Sequence, residues 1–278
     1  MEMLVNLNEL LADAKLHKYA VGAFSCYNYE TIKGAMEASQ ELKKPIIIAL
    51  GENYIPNMDL EEVVSLVTEM NKKSNIKVAI HLDHCKSMEH IKKAINAGFT
   101  SVMYDGSHLS FEENIRFTKE VVQLAHPRNI SVEAELGSLA LGAYSNEEEA
   151  KEIYTEPEEA KKFVEETKVD ALAVSIGTVH GIYQGEPNIN IDILEEINKL
   201  VNIPLVLHGG SGTPEKTIRE CIARGITKIN VNTEISFYVM NKIKNALIEE
   251  ENLHFSVLSI EIRKTVKEIV KRYIKLFA

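Results

Sequence analysis

Short apolar runs alternate with longer amphipathic stretches along almost the whole chain. The runs occupy residues 20–26, 45–50, 77–84, 101–106, 131–137, 171–176, 205–210 and 228–233. Each is near-continuously apolar, the pattern of a strand covered on both faces of a parallel sheet. The stretches between them, residues 30–42, 59–74, 87–97, 111–126, 156–167, 191–200 and 214–224, carry helical periodicity. Helix signals frame several: Ser87 precedes Met88, Pro214 follows Thr213, and Gly98 and Gly225 come just after a last periodic turn. Eight strands in alternation with helices predict an α/β protein, a single closed (β/α)8 TIM barrel. An open doubly wound sheet is disfavoured, because no GxGxxG follows the first strand. A length of 278 residues suits one such barrel, so residues 1–278 are read as one domain.

Two segments fall outside the repeat. Residues 138–155, SLALGAYSNEEEAKEIYT, are too long for a plain βα loop. They read either as a solvated insertion or as an active-site lid on the catalytic face. Residues 241–278 form a helical tail with two further helical patterns, suited to capping the barrel or contacting a second subunit.

Composition narrows the partners. Lysines and arginines number 31 against 41 acids, a net charge of −10, which repels nucleic acid and anionic membranes at long range. Tryptophan is absent and aromatic residues make up 6%, so a stacking platform for single strands is not expected. The three cysteines, Cys26, Cys85 and Cys221, form no CxxC pair and suggest neither a disulfide framework nor a zinc knuckle. The N-terminus has no basic start followed by an apolar run. The run at 45–50 falls far short of the roughly 20 apolar residues of a membrane helix. The expectation is a soluble, reduced, cytoplasmic protein with no nucleic-acid or membrane partner.

Candidate chemistry gathers at the C-terminal ends of the predicted strands, where barrel active sites lie. The third strand ends in His81-Leu82-Asp83-His84 and the fourth in Tyr104-Asp105-Gly106. The fifth carries Glu133 and Glu135, two apart and on one face. The sixth runs into His180-Gly181, the seventh ends in His208-Gly209-Gly210-Ser211, and the eighth in Asn230-Val231-Asn232-Thr233. His84, His180 and His208, on three strand ends, suit a zinc site with an open position, with Asp83, Asp105 and Glu135 beside it. His17, His90, His126 and His254 read as surface residues on helices, and His108 receives no role. The glycines of 208–214 lead into a helix, so backbone N–H groups converge there, and the loops after the seventh and eighth strands are a frequent phosphate site in this fold.

Taken jointly, AIHLDHC, SVMYDGSHL, VEAELGSL, VSIGTVHGIY, PLVLHGGSG and KINVNTE resemble the class II, metal-dependent ketose-bisphosphate aldolases, which include fructose- and tagatose-bisphosphate aldolases; the resemblance runs from about residue 7 to about residue 249. It implies reversible cleavage of a phosphorylated ketose to dihydroxyacetone phosphate and an aldehyde such as glyceraldehyde 3-phosphate, through a zinc-stabilised enediolate. It implies His84, His180 and His208 as ligands of a catalytic Zn2+, with Asp105 and Glu135 at a second-metal or alternative position. Asp83 becomes the general acid/base. Gly181, Gly209, Gly210, Ser211, Asn230, Asn232 and Thr233, with Asn28 from the first-strand motif, become binders of the dihydroxyacetone phosphate portion, with a monovalent cation near that phosphate. A homodimer or homotetramer in carbohydrate metabolism, of the glycolytic kind, is also implied.

The chain departs from that pattern at four places. The GGxED usual after the ELG motif is replaced by LALGAYSNEEEA, leaving Glu147, Glu148 and Glu149 as candidates for the loop glutamate. Ser25 stands where Asn is usual, and Gln184 where Lys is frequent. The C-terminal Asp-Pro-Arg is not evident, and Arg263 is the nearest candidate for gripping a distal phosphate. Alternatives therefore stay open: an aldolase for a related ketose 1-phosphate, a non-catalytic sugar-phosphate-binding paralogue, or a metal-dependent barrel hydrolase, the last opposed by the lack of an HxH pair on the first strand.

Overall fold

The structure, a computed structural model, describes residues 4–72, 74, 76–146 and 151–278. Eight parallel strands close into a barrel: β1 (Val21–Ser25), β2 (Ile46–Gly51), β3 (Val78–Cys85), β4 (Ser101–Tyr104), β5 (Ser131–Leu136), β7 (Ala171–Val174), β9 (Leu205–Leu207) and β10 (Ile226–Val231). Two short strands, β6 (Ala140–Leu141) and β8 (Val179–His180), pair outside it. Closure is made where Val21 of β1 pairs with Lys228 of β10 and Ala23 with Asn230. The expected alternation holds, with helices α2 (Tyr29–Leu42), α3 (Leu60–Asn71), α4 (Met88–Ala97), α5 (Phe111–Ala125), α6 (Pro157–Thr167), α7 (Ile191–Leu200) and α8 (Glu215–Ala223) between the strands. The last strand starts earlier than the apolar run suggested, at Ile226, and yields at Thr233 to the first tail helix, α9 (Thr233–Glu249).

One helix was not read from the sequence. Residues 7–17 form α1 (Leu7–His17), whose N-cap Asn6 accepts from the Glu9 amide. Its apolar stripe, Leu7, Leu10, Leu11 and Ala14, meets Val21, Ala23, Ile47, Ala79, Ala171, Ala173 and Val206 inside the barrel. These small residues fill the N-terminal end of the interior, and α1 closes it.

Side chains alternate across each strand. The inward positions therefore continue from that apolar layer into a polar one. Ala79 is followed by His81 and Asp83, Val206 by His208, and Lys228 by Asn230, all of them buried. Glu133 and Glu135 enter the same space from β5 and are buried. The outward positions pack against the helices in the main apolar core.

The segment 138–155 is tied down on both sides. Ser138 and Ile153 exchange backbone hydrogen bonds at 2.9 and 3.0 Å. Gly142 N–H donates to the His180 carbonyl at 2.8 Å, and Ala143 and Ile182 bond reciprocally at 2.8 Å. Its described parts thus lie against the strand end that carries His180, as a lid would. Glu147, Glu148 and Glu149 lie outside the described residues.

In the tail, α10 (Phe255–Phe277) packs on α2 and α9. Gly34 makes the α2 contact possible: a Cβ there would stand 2.8 Å from the Arg263 carbonyl oxygen. Among the described residues no helix is long and apolar enough to cross a membrane.

Candidate active site

The polar layer opens at the C-terminal mouth around three imidazoles. His84, His180 and His208 offer nitrogens that all lie within 4.8 Å of one another. His84 leaves β3 with φ +46°, a left-handed conformation that a non-glycine residue adopts only when its surroundings impose it. The next turn is held by Glu52, whose carboxylate accepts from the Lys86 amide at 2.9 Å, the Ser87 amide at 3.2 Å and His90 Nδ1 at 2.7 Å. His90, read from the sequence as a surface residue, is thus half-buried in the support of the site.

The outer nitrogens of two ligand candidates are committed to carboxylates. His84 Nδ1 lies 3.1 Å from Asp105 Oδ2, and His208 Nε2 lies 3.0 Å from Glu133 Oε1. With those N–H groups donating outward, His84 Nε2 and His208 Nδ1 face each other 2.8 Å apart. His180 Nε2 and Glu135 Oε2 are buried beside them without a hydrogen-bond partner. Ring nitrogens converging on one point, two of the three rings oriented from behind by a carboxylate, are the donor set of a divalent metal with an imidazole preference. The residues present therefore fit a metal ion.

Burial and the neighbouring charges pull on the cluster in opposite directions. Burial opposes charge on His84, but Asp83, the Asp105 hydrogen bond and Glu135 outweigh it and lift the imidazole well above its ordinary range. Burial and the neighbouring His84 depress His180 and His208. Burial, reinforced by Asp105, pushes the Glu135 carboxyl up to about 8. Asp83 is buried, yet His84, the His81 hydrogen bond and Lys228 hold it well below the usual carboxylate range.

A cavity on one side of the trio is lined by Ser25, Gly51, Tyr54, Asp83, His84, Ser145, His180, Gly181, Gly209, Ser211, Asn230, Asn232 and Thr233. Six of the eight residues expected to bind substrate line it, as does Asp83. Asn28 and Gly210 do not. Asn28 is the N-cap of α2, its Oδ1 accepting from the Thr31 amide at 2.9 Å. The Gly210 amide donates to the Asn230 carbonyl at 3.0 Å, which leaves it no hydrogen for a ligand. Gly209 has φ +72° and would place a Cβ 2.4 Å from the Val179 carbonyl oxygen, so both conformation and space require glycine. Ser211 Oγ accepts from the Asn232 and Glu234 amides, and Glu234 accepts from the Gly212 amide at 3.1 Å. Glu234 is held in turn by Arg272 and Tyr273 of α10.

A second cavity of about 480 Å³ opens on the other side of His84 and His180, with Lys86, Asp105, Ser107, His108, Glu135 and Lys151 in its lining. Arg263 reaches neither lining: it sits on α10 with Nε 3.7 Å from Glu37 of α2.

Sequence reasoning missed Lys228, Tyr54, Ser145 and Glu52, and gave Glu133 no part. Lys228 could have been found by parity, two residues before Asn230 on the same inward face. Tyr54 carries no such signal; its hydroxyl accepts from Asn232 Nδ2 at 2.9 Å and from Asn146 Nδ2 at 2.7 Å across long sequence separations.

Fold and site together define a barrel enzyme whose mouth is built around three convergent imidazoles backed by buried carboxylates. The chain belongs to the class-II fructose-bisphosphate aldolase family, whose profile matches residues 5–278, and is accordingly a lyase. It is 42% identical over 279 residues to a fructose-bisphosphate aldolase of Staphylococcus aureus, covering 99% of this chain and 97% of that one. It is 40% identical over 275 residues to YdjI of Escherichia coli, covering 99% and 98%. The crystal structure of the Escherichia coli YdjI aldolase superposes with a TM-score of 0.87 at 37% identity, covering 99% of this chain and 97% of the other.

Proposed function

We propose that this protein is a zinc-dependent aldolase that reversibly cleaves a phosphorylated ketose to dihydroxyacetone phosphate and an aldehyde. The observation that carries the reading is the convergence of His84 Nε2 and His208 Nδ1 at 2.8 Å beside the unpartnered His180 Nε2. When bound there, Zn2+ supplies Lewis-acid polarisation of the ketose oxygens. Asp105 and Glu135 share His84 in a second group able to take a divalent ion.

Asp83 is the proton carrier in this reading. It is buried at the cavity wall, its carboxyl held well below the usual range by His84, His81 and Lys228 against the opposing effect of burial. It takes the proton from the hydroxyl of the carbon that becomes the aldehyde, and returns it in condensation. Gly181, Gly209, Ser211, Asn232 and Thr233 shape the adjoining cavity for the phosphate end. Asn230 acts on Asp83 first, its Nδ2 lying 3.1 Å from both carboxylate oxygens.

Substrates of the fructose or tagatose 1,6-bisphosphate type fit the family. A related ketose 1-phosphate is the second reading, favoured by the placement of Arg263 against Glu37 rather than at either cavity. The exposed apolar residues Leu247, Ile248, Phe255 and Val257 of the tail support a homodimer or homotetramer. A cytoplasmic place in carbohydrate metabolism completes the proposal. Condensation of dihydroxyacetone phosphate with an aldehyde, abolished by EDTA and restored by Zn2+, tests it. Absence of condensation by the metal-loaded protein across a panel of aldehydes would sink it.

A further inference from the structure

The barrel interior holds a lysine whose charge bears on Asp83 but whose direct contact is elsewhere. Lys228 is fully buried, and so is Glu133; Lys228 Nζ lies 3.0 Å from Glu133 Oε1 and 2.9 Å from Oε2. Fully buried lysines are rare, because withdrawing an ammonium from water costs more than an ion pair ordinarily returns. Apolar residues of similar volume would fill the same layer at no such cost. Lys228 lies beneath the cavities and lines neither of them. Its contact is with Glu133, and Glu133 Oε1 is also 3.0 Å from His208 Nε2.

We propose that Lys228 is a positioning residue for the metal centre, acting through Glu133 on His208. The ammonium grips both carboxylate oxygens and fixes Glu133 as the acceptor for His208 Nε2–H. That hydrogen bond sets the tautomer and the ring orientation, so that Nδ1 carries the lone pair toward His84 Nε2. Three elements are coupled in this way: β10 supplies the cation, β5 the carboxylate, and the loop after β9 the imidazole. The inference rests on the proposed metal centre and adds to it the residue that aligns one ligand from behind.

The test is metal affinity, measured by competition with a chromophoric chelator for Zn2+, together with the visible absorption of the Co2+ form. Lys228→Met and Glu133→Gln should each fold and weaken Zn2+ binding by roughly 10- to 100-fold, the usual range for outer partners of a ligand histidine. The Co2+ spectrum should change in both. Lys228→Met/Glu133→Gln should bind no more weakly than the poorer single variant, since both changes break one chain of contacts. Should Lys228→Met fail to fold around an unpaired Glu133, the double variant, with neither charge, gives the reading alone. Wild-type affinity and an unchanged Co2+ spectrum in folded Lys228→Met, or in the double variant, overturn the role of Lys228 and leave the metal centre standing. A wild-type chain that takes up no metal overturns the centre, and this proposal with it.

Discussion

Asn230 holds Asp83 by both of its carboxylate oxygens, each 3.1 Å from the Asn230 amide nitrogen. The two residues come from β10 and β3, 147 positions apart in sequence. A donor so placed stabilises the charged carboxylate and fixes the direction of its free lone pairs. It gives the Asp83 carboxylate one orientation, as the proposed proton carrier requires.

Removal of the carboxylate should therefore remove proton transfer while sparing the metal. Asp83→Ala is expected to lower kcat by roughly 10²- to 10⁴-fold, the range for loss of a positioned acid or base. Zn2+ content, measured by elemental analysis, should stay at the wild-type level. Asn230→Ala should produce a smaller fall in kcat with a shifted acid limb in the pH–rate profile. An Asp83→Ala enzyme with wild-type kcat would remove Asp83 from the mechanism.

Chelation separates this site from a Schiff-base aldolase. Lys228 is locked against Glu133, and among the described residues no lysine lines the cavity that holds Asp83. EDTA should abolish cleavage and Zn2+ restore it. Borohydride in the presence of substrate should leave activity intact and add no mass to the protein in mass spectrometry. Covalent trapping at a lysine, with activity indifferent to EDTA, is the contrary result.

Much of this was legible in the sequence, for identifiable reasons. Parallel strands covered on both faces must be apolar runs, so all eight barrel strands stood out. Polar residues at the ends of such runs had to face either the mouth or the core, which marked Asp83, His84, His208 and Asn230. The hidden part depends on contacts between distant segments. That Asn28 caps α2 shows only once Thr31 is found accepting and donating beside it. Gly210 looks like its neighbours until its amide is found spent on Asn230. Lys228 opens the run 228–233 with no partner in sight, because Glu133 lies 95 positions away in sequence. Helix α1 was passed over because its short apolar stripe gains meaning only against the open end of the barrel.

That stripe makes a stability prediction. Leu11 is fully buried where α1 closes the barrel floor. Leu11→Ala leaves a cavity against small neighbours that cannot collapse into it, and should cost about 2–5 kcal/mol of unfolding free energy. Urea denaturation followed by circular dichroism measures this. A loss under about 0.5 kcal/mol, the size of an ordinary surface change, would show that α1 does not seal the interior.

Glu234 gives a pH dependence with a definite sign. Burial works against its charge, but Tyr273, Arg272 and the Gly212 amide hold its carboxyl below the ordinary value. The folded form thus binds a proton less tightly than the unfolded chain. Its contribution is complete above the unfolded value and is lost as pH falls through the folded one. Glu234→Gln should cost about 1.5–3 kcal/mol at neutral pH, as for hydrogen bonds to a charged group. The gap from wild type should narrow steadily in acid, read as converging denaturation midpoints. Because Glu234 also anchors the Gly212 loop, KM for the phosphorylated substrate should rise more than kcat falls. A gap independent of pH would show that the charge of Glu234 contributes nothing.

The ion pair of Arg263 with Glu37 bears on what the enzyme cleaves. Arg263 lies on α10, 3.7 Å from the Glu37 carboxylate and outside both cavities of its own chain. An arginine gripping a distal phosphate would make a bidentate, charge-assisted contact, strong enough to dominate the preference for a bisphosphate. If that grip is missing, removing the distal phosphate from the substrate should change kcat/KM by less than about tenfold, equivalent to about 1.4 kcal/mol. Arg263→Ala should then act on stability alone, by about 1 kcal/mol for a half-buried pair at the surface, and leave the ratio of kcat/KM for ketose bisphosphate and ketose 1-phosphate unchanged. The measurement is a panel of both substrate types run on wild type and variant. A wild-type preference for the bisphosphate that collapses in Arg263→Ala would show that Arg263 leaves Glu37 to serve a phosphate, and would return the enzyme to the bisphosphate class.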